Sequence, residues 1–325
     1  MGSPTFLTVT GPPARQDKMK PCTLGDLDGS KELEGRWVSR KSLLKQYQTS
    51  KWAQSFNKSQ DYIYQPLNCK RSHLSATALR ETSNVTGLFV LGDSVLRGAF
   101  CTQIWPAMSE SGIADGDCTY KNDAALYTTS KKNIEYITKN GKKVQVAFRF
   151  LDDRPLEKLD DLAAEKLQTP SHIITNIGLW LAPMALSEYE DVLDKYMEKL
   201  YHLYPKATVV WRTTTDVAPM IQCFGDKGMT RDVIFQQREI SLKIAKRMRE
   251  SGMKLYIVDG YDMTRSRPDA GNDGRHWVIE SAEEYRWLPG MRPSINQAES
   301  AIMDAVWEII VQEDLHKSAE RDEVF

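Results

Sequence analysis

The chain has 325 residues, enough for one large α/β domain or two small ones. Hydrophobic residues make up 41% and charged residues 27%, as in soluble globular proteins with a sizeable core. A formal net charge of -1 leaves no overall basic field to attract nucleic acid, and no apolar run approaches the ~18–20 residues of a membrane span. Residues 1–30, with Pro4, Pro12 and Pro13 and no apolar leader-like stretch, read as a disordered or loosely docked arm. Residues 31–85 carry Trp37, Trp52, Tyr62 and Tyr64 without a clean period and read as an irregular layer wrapped on the main domain. Leu88-Phe89-Val90-Leu91, ending in Gly92, predicts a buried strand, and 95–108 a helix. The basic pairs Lys131-Lys132 and Lys142-Lys143 have acidic neighbours and read as a solvated face. Strands are then expected over 144–148, 172–176, 207–212 and 255–258, and helices over 156–167, 187–203, 231–250 and 294–312. The charged tail from 313 to 325 is expected to fray.

Strands alternating with helices imply βαβ units, hence a three-layer α/β/α sandwich on a central, mainly parallel sheet. The catalytic domain of this sandwich is expected over 86–312, after the arm and the irregular layer.

Five cysteines, Cys22, Cys69, Cys101, Cys118 and Cys223, include no C-x-x-C pair, and the five histidines are scattered, so a structural zinc site is not expected. Two bridges plus one thiol allow 15 connectivities, and buried free thiols in a reducing compartment are the alternative. Two N-glycosylation sequons start at Asn57 and Asn84. No glycine-rich nucleotide loop follows a strand, so no cofactor is expected.

In open α/β sheets ligands gather at the carboxyl ends of the strands. There the predicted strands deliver Gly92-Asp93-Ser94, then Asn176 and Gly178, then Arg212 with Thr213-Thr214-Thr215, and finally a loop with Arg265, Arg267, Asp273, Arg275 and His276. Ser94 follows a glycine at a strand-to-helix turn, where the following helix favours a developing oxyanion. A serine hydroxyl needs a base, His276 is the natural one, and Asp273 is spaced to orient its ring. The plainer alternatives are that Ser94 or Asp93 caps the helix, that His276 packs beside Trp277, that Asp273 serves a turn, and that Asn176 satisfies loop backbone.

Three blocks carry a resemblance. Leu91-Gly92-Asp93-Ser94-Val95-Leu96-Arg97 resembles the G-D-S-x-x-R block of the PC-esterase branch of SGNH/GDSL hydrolases. Thr175-Asn176-Ile177-Gly178-Leu179-Trp180 is similar to that branch's Asn-bearing block, and Asp273-Gly274-Arg275-His276-Trp277 to its D-x-x-H-W block. Upstream, Cys22, Gly35-Arg36-Trp37-Val38, Tyr64 and Cys69 look like the cysteine-flanked G-x-W-V segment of trichome-birefringence-like polysaccharide O-acetyltransferases. The resemblance implies Ser94 as nucleophile, His276 as base and Asp273 as orienting acid, with oxyanion contacts from Arg97, Asn176 and Gly178. Arg97, one helical turn after Ser94, reads alternatively as a surface ion-pair partner. Arg212, suited to a hydroxyl- or carboxylate-bearing substrate, with Thr213, Trp180, Arg275 and Trp277, completes the expected substrate-binding set.

The implied activity is O-acetyl transfer to a carbohydrate through an acetyl-serine. An esterase with the same triad is one alternative, and a non-catalytic carbohydrate-binding or scaffold protein another. The expected partners are a glycan acceptor and an acyl donor such as acetyl-CoA or an acetyl ester. The resemblance further implies an oxidising lumen, Golgi or secreted, with Cys22–Cys69 bridged, Cys101–Cys118 the next pair and Cys223 the odd thiol. A cytoplasmic protein with reduced thiols is the rival.

Overall fold

A computed structural model of the chain describes residues 19–29, 35–39, 41, 45, 62–66, 68–72, 74–82, 84–109, 118, 129–217, 228–266, 274–277 and 297–322. Among them are eight strands: β1 (Gly35–Ser39), β2 (Tyr62–Pro66), β3 (Gly87–Gly92), β4 (Lys131–Ile137), β5 (Lys143–Phe150), β6 (His172–Thr175), β7 (Thr208–Arg212) and β8 (Leu255–Val258). The helices are α1 (Leu24–Leu27), α2 (Ser94–Ala99), α3 (Trp105–Met108), α4 (Pro155–Ala164), α5 (Leu186–Leu203), α6 (Arg231–Glu250), α7 (Gly260–Arg265) and α8 (Gln297–Asp322). A π-helical turn, Phe100–Ile104, joins α2 to α3.

Six strands form one sheet in the order β4-β5-β3-β6-β7-β8. All neighbours in it are parallel except β4, which runs antiparallel to β5. The central strands read as continuous apolar runs because they are buried on both faces. Side chains alternate across the sheet: Leu88, Val90, Phe148, Ile174 and Val210 pack with α2, α3 and α8. Phe89, Leu91, Ala147, Ile173 and Trp211 pack on the other side with α4, α5 and α6. The expected three-layer α/β architecture is therefore the observed one. From β3 the chain moves outward to β4 and β5, then returns past β3 to β6. That reversal leaves a crevice at the carboxyl ends of β3 and β6, where such folds hold ligands.

Four elements differ from the sequence-based expectation. β4 replaces the solvated face at Lys131-Lys132: it is an edge strand whose outward Lys131, Asn133, Glu135 and Ile137 alternate with inward residues. The layer over 31–85 contains the antiparallel pair β1–β2, closed over a long connection rather than a hairpin turn. The helix expected to end at 312 runs on to Asp322, because Glu313 and Asp314 are buried rather than solvated. Thr208 Oγ1 donates to Glu313 at 2.9 Å and Lys254 pairs with it, while Asp314 accepts from the Asn84 backbone at 2.6 Å.

Residues 19–29, placed by sequence in the loose arm, are docked. Thr23 and Asp26 form a reciprocal cap on α1, whose Leu27 is buried. Asp28 accepts from Ile257 N at 3.1 Å and from Arg249, and Gly29 N donates to Ile257 O at 2.8 Å, so this segment covers the β8 edge. Disulfides join Cys22 to Cys69 and Cys101 to Cys118, while Cys223 lies outside the described residues. The Cys69 end is further fastened by the buried Arg71–Glu308 ion pair. The sequon residue Asn84 is buried, its side-chain amide donating to Asp314 O at 3.1 Å, whereas Asn57 lies outside the described residues. Among the described residues no helix is long and apolar enough to cross a membrane.

Candidate active site

β3 carries the chain to the carboxyl rim, and α2 begins there at Ser94. The helix is capped by Asp93, whose Oδ1 accepts from Val95 N at 2.9 Å. The cap is thus supplied by Asp93, which leaves the Ser94 hydroxyl available. Ser94 Oγ lies 2.8 Å from His276 Nε2, 182 positions further along the chain. That is the separation at which a hydroxyl donates to a neutral ring nitrogen. His276 is buried and Ser94 half-buried. Asp273, the expected orienting acid, lies outside the described residues.

Asn176 follows β6 and is tied to the same turn. Its Nδ2 donates to Asp93 Oδ2 at 3.3 Å, and its Oδ1 accepts from Asp93 N at 3.4 Å. A Cβ on Gly92 would lie 2.6 Å from Asn176 Oδ1, so glycine permits this close approach of the two strand ends. Gly178 is similarly enclosed: a Cβ there would sit 1.8 Å from Thr214 Oγ1. The structure therefore brings Ser94, His276 and Asn176 together and sets Gly178, two residues after Asn176, against Thr214.

Arg97 is half-buried, and its guanidinium carbon lies 4.6 Å from the centroid of the Phe150 ring. Burial pushes it below its ordinary pKa, against the support of the Asp93 carboxylate. Among the described residues no hydrogen bond joins Arg97 to Ser94, and its buried Nε has no partner. Trp180 stands out from the rim at 45% exposure. Arg275 is half-buried, with Nη1 3.8 Å from Sδ of Met229, which precedes α6.

Three residues of the expected substrate-binding set are placed elsewhere. Arg212 is completely buried and holds Glu299 of α8 through both Nη atoms, while its buried Nε has no partner among the described residues. Thr213 is also completely buried: it donates to Asp259 Oδ1 at 2.9 Å and accepts from Tyr261 N at 3.1 Å, fastening α7 to β7. Trp277 is fully buried in the core between the sheet and α8. The sequence placed Arg212 correctly at a strand end but could not show that Glu299, 87 residues on, meets it from the covering helix. Two contributors were missed: Asp93 as clamp for Asn176, and Phe150 beneath Arg97. The signal for Phe150 was its position at the rim end of an alternating strand. Among the described residues no group of three His, Cys, Asp or Glu side chains is arranged to hold a metal ion.

A scan against protein-family models and a search of curated proteins return no match. Among solved structures, a family 3 carbohydrate esterase from Clostridium thermocellum is similar at 12% identity, with a TM-score of 0.41, over 72% of this chain and 98% of that one. A lipase/acylhydrolase from Enterococcus faecalis is similar at 13% identity and TM-score 0.40, over 70% and 94% of the two chains. A salicylyl-acyltransferase from a tetracycline biosynthetic pathway is similar at 15% identity and TM-score 0.40, over 73% and 56%.

Proposed function

We propose that the protein is a serine-dependent O-acyl enzyme of the SGNH/GDSL type that transfers an acetyl group to a carbohydrate hydroxyl. The observation that carries this reading is the 2.8 Å contact of Ser94 Oγ with His276 Nε2 at the crevice of the sheet. The sequence blocks around both residues support it.

Ser94 Oγ attacks the carbonyl carbon of a donor ester while its proton passes to His276 Nε2. The tetrahedral oxyanion forms beside the start of α2, where the Ser94 and Gly178 backbone N–H groups and Asn176 are its proposed donors. Collapse expels the donor's alcohol or thiol, which takes the proton from His276. A sugar hydroxyl then gives its proton to His276 and attacks acetyl-Ser94, and collapse releases the acetylated sugar as Ser94 Oγ takes that proton back. With water as acceptor the same steps make an esterase. Asp273 is proposed to hold the His276 ring. The two disulfides fit an oxidising compartment such as the secretory lumen.

Turnover of p-nitrophenyl acetate by wild type and Ser94→Ala tests the proposal. Wild type should release p-nitrophenol and carry an acetyl adduct on the Ser94 peptide by mass spectrometry. Ser94→Ala should lose at least about a thousandfold in rate, with thermal stability retained because Asp93 supplies the cap. Equal turnover by both proteins would refute the nucleophile.

A further inference from the structure

Trp180, Phe150 and Arg97 come from three separate strand ends that converge on the nucleophile turn. Phe150 is the last residue of β5 and lies in register with Gly92, and the next amide, Leu151 N, donates to Gly92 O at 2.8 Å. Arg97 lies one helical turn after Ser94. Trp180 lies four residues after Asn176, which is bonded to Asp93. The three side chains form a continuous stack. Arg97 covers the Phe150 ring, and Phe150 meets Trp180 edge-to-face at 5.9 Å and 86°.

Trp180 is not a loose surface residue. It occupies a short 3-10 turn, Leu179–Leu181, whose two flanking leucines are both buried. Leu181 N donates to Gly178 O at 2.9 Å and Met184 N to Leu181 O at 3.0 Å. The turn is fixed on both sides, and the residue it presents outward is the indole. Single exposed apolar residues are ordinary on protein surfaces. A rigidly held tryptophan joined through a second aromatic to a cation one helical turn from the nucleophile is a more specific arrangement.

We infer that this stack is the acceptor subsite, on which a pyranose ring lies while one hydroxyl reaches acetyl-Ser94. The inference rests on the function proposed above and adds the residues that choose the acceptor. A pyranose has apolar C–H faces and a rim of hydroxyls. The indole supplies a flat apolar surface with little conformational freedom to lose, and Arg97 supplies a planar fork of donors whose buried Nε has no partner among the described residues. An acyl chain would use the aromatic surface and leave the guanidinium without a partner. Arg97 is thereby assigned to the acceptor rather than to the oxyanion. The stack decides how acetyl-Ser94 divides between sugar and water, because a ring seated on Trp180 both presents a hydroxyl and displaces solvent.

The test measures this partition within one reaction, as the ratio of acetylated sugar to free acetate. p-Nitrophenyl acetate serves as donor, and methyl glycosides of glucose, galactose and xylose serve as acceptors. Binding of the same glycosides is followed separately by saturation-transfer NMR. Wild type should acetylate at least one glycoside. Trp180→Ala should lower the ratio about tenfold or more and lose the saturation-transfer signal, and Trp180→Phe should restore much of both. A ratio and a binding signal both within twofold of wild type in Trp180→Ala would overturn the subsite. So would Ser94-dependent p-nitrophenol release with no glycoside acetylated or bound, although the serine mechanism would then stand. If p-nitrophenol release does not depend on Ser94, the enzymatic reading falls. The platform is then judged by binding alone: a signal lost in Trp180→Ala keeps it, and an unchanged signal removes it.

Discussion

Replacing Glu299 with leucine should destabilise the fold by about 3–5 kcal/mol, the usual consequence of stranding a buried charge. Arg212 and Glu299 are both completely buried, and two hydrogen bonds join them, one of 2.9 Å. Hydrogen bonds to charged groups are worth about 1.5–3 kcal/mol each, so losing two of them gives a figure of the same size. Replacing both partners, Arg212→Met with Glu299→Leu, should recover most of the loss, because the desolvated charge is removed with its partner. Urea unfolding of wild type, both single variants and the double variant, followed by far-UV circular dichroism, completes the cycle. The double variant should also retain Ser94-dependent release of p-nitrophenol, since Arg212 is completely buried and its Nη donors are held by Glu299. A Glu299→Leu cost below about 1 kcal/mol would refute the buried pair. A stable double variant with activity abolished would return Arg212 to the substrate.

Removing the Cys22–Cys69 bridge, with a sequence separation of 47, should cost about 4 kcal/mol by chain-entropy reasoning, measured as the shift in urea unfolding of Cys22→Ala/Cys69→Ala. Alkylation of the unreduced protein should leave Cys22, Cys69, Cys101 and Cys118 unlabelled. For Glu165, partial burial pushes the pKa up, but hydrogen bonds from Arg149 and Lys131 outweigh it and hold the carboxyl below its ordinary value. A lowered folded pKa means that fewer protons are bound in the native state. Its contribution is therefore complete above the ordinary glutamate range and is lost as pH falls through the folded value. Glu165→Gln should accordingly flatten the acid limb of a thermal-unfolding profile taken from pH 7 to 3, and an unchanged limb would dismiss the stabilising role of the Arg149 and Lys131 contacts.

The central strands were legible because double burial writes them as apolar runs, and the crevice was legible because strand-end glycines and polar residues recur at the rim. β4 was hidden by its role: an edge strand shows charge on its outer positions and resembles a solvated face. The end of α8 was hidden for the opposite reason. Glu313 and Asp314 look like tail residues, and only their partners Thr208, Lys254 and Asn84, all distant in sequence, make them interior. The same remoteness explains Arg212 and Thr213. A polar residue at a strand end points to a ligand or to a covering helix, and the local sequence is identical in both cases. His276 meets Ser94 because the sequence carries both to strand ends of one sheet, 182 positions apart.

The segment covering β8 bears on how the chain is made. Asp28 and Ile257, joined by a hydrogen bond, are 229 positions apart, so a segment that precedes all six strands of the sheet in the chain closes on the strand that comes last in it. On a ribosome adding about 5–20 residues per second, that partner emerges many seconds after the segment itself. Throughout that interval the early segment is held only by the Cys22–Cys69 bridge and its local contacts. Native closure therefore waits for β8, and the strap stays without its partner strand until β8 has emerged. Oxidative pairing of Cys22 during elongation would keep the strap near its destination until then.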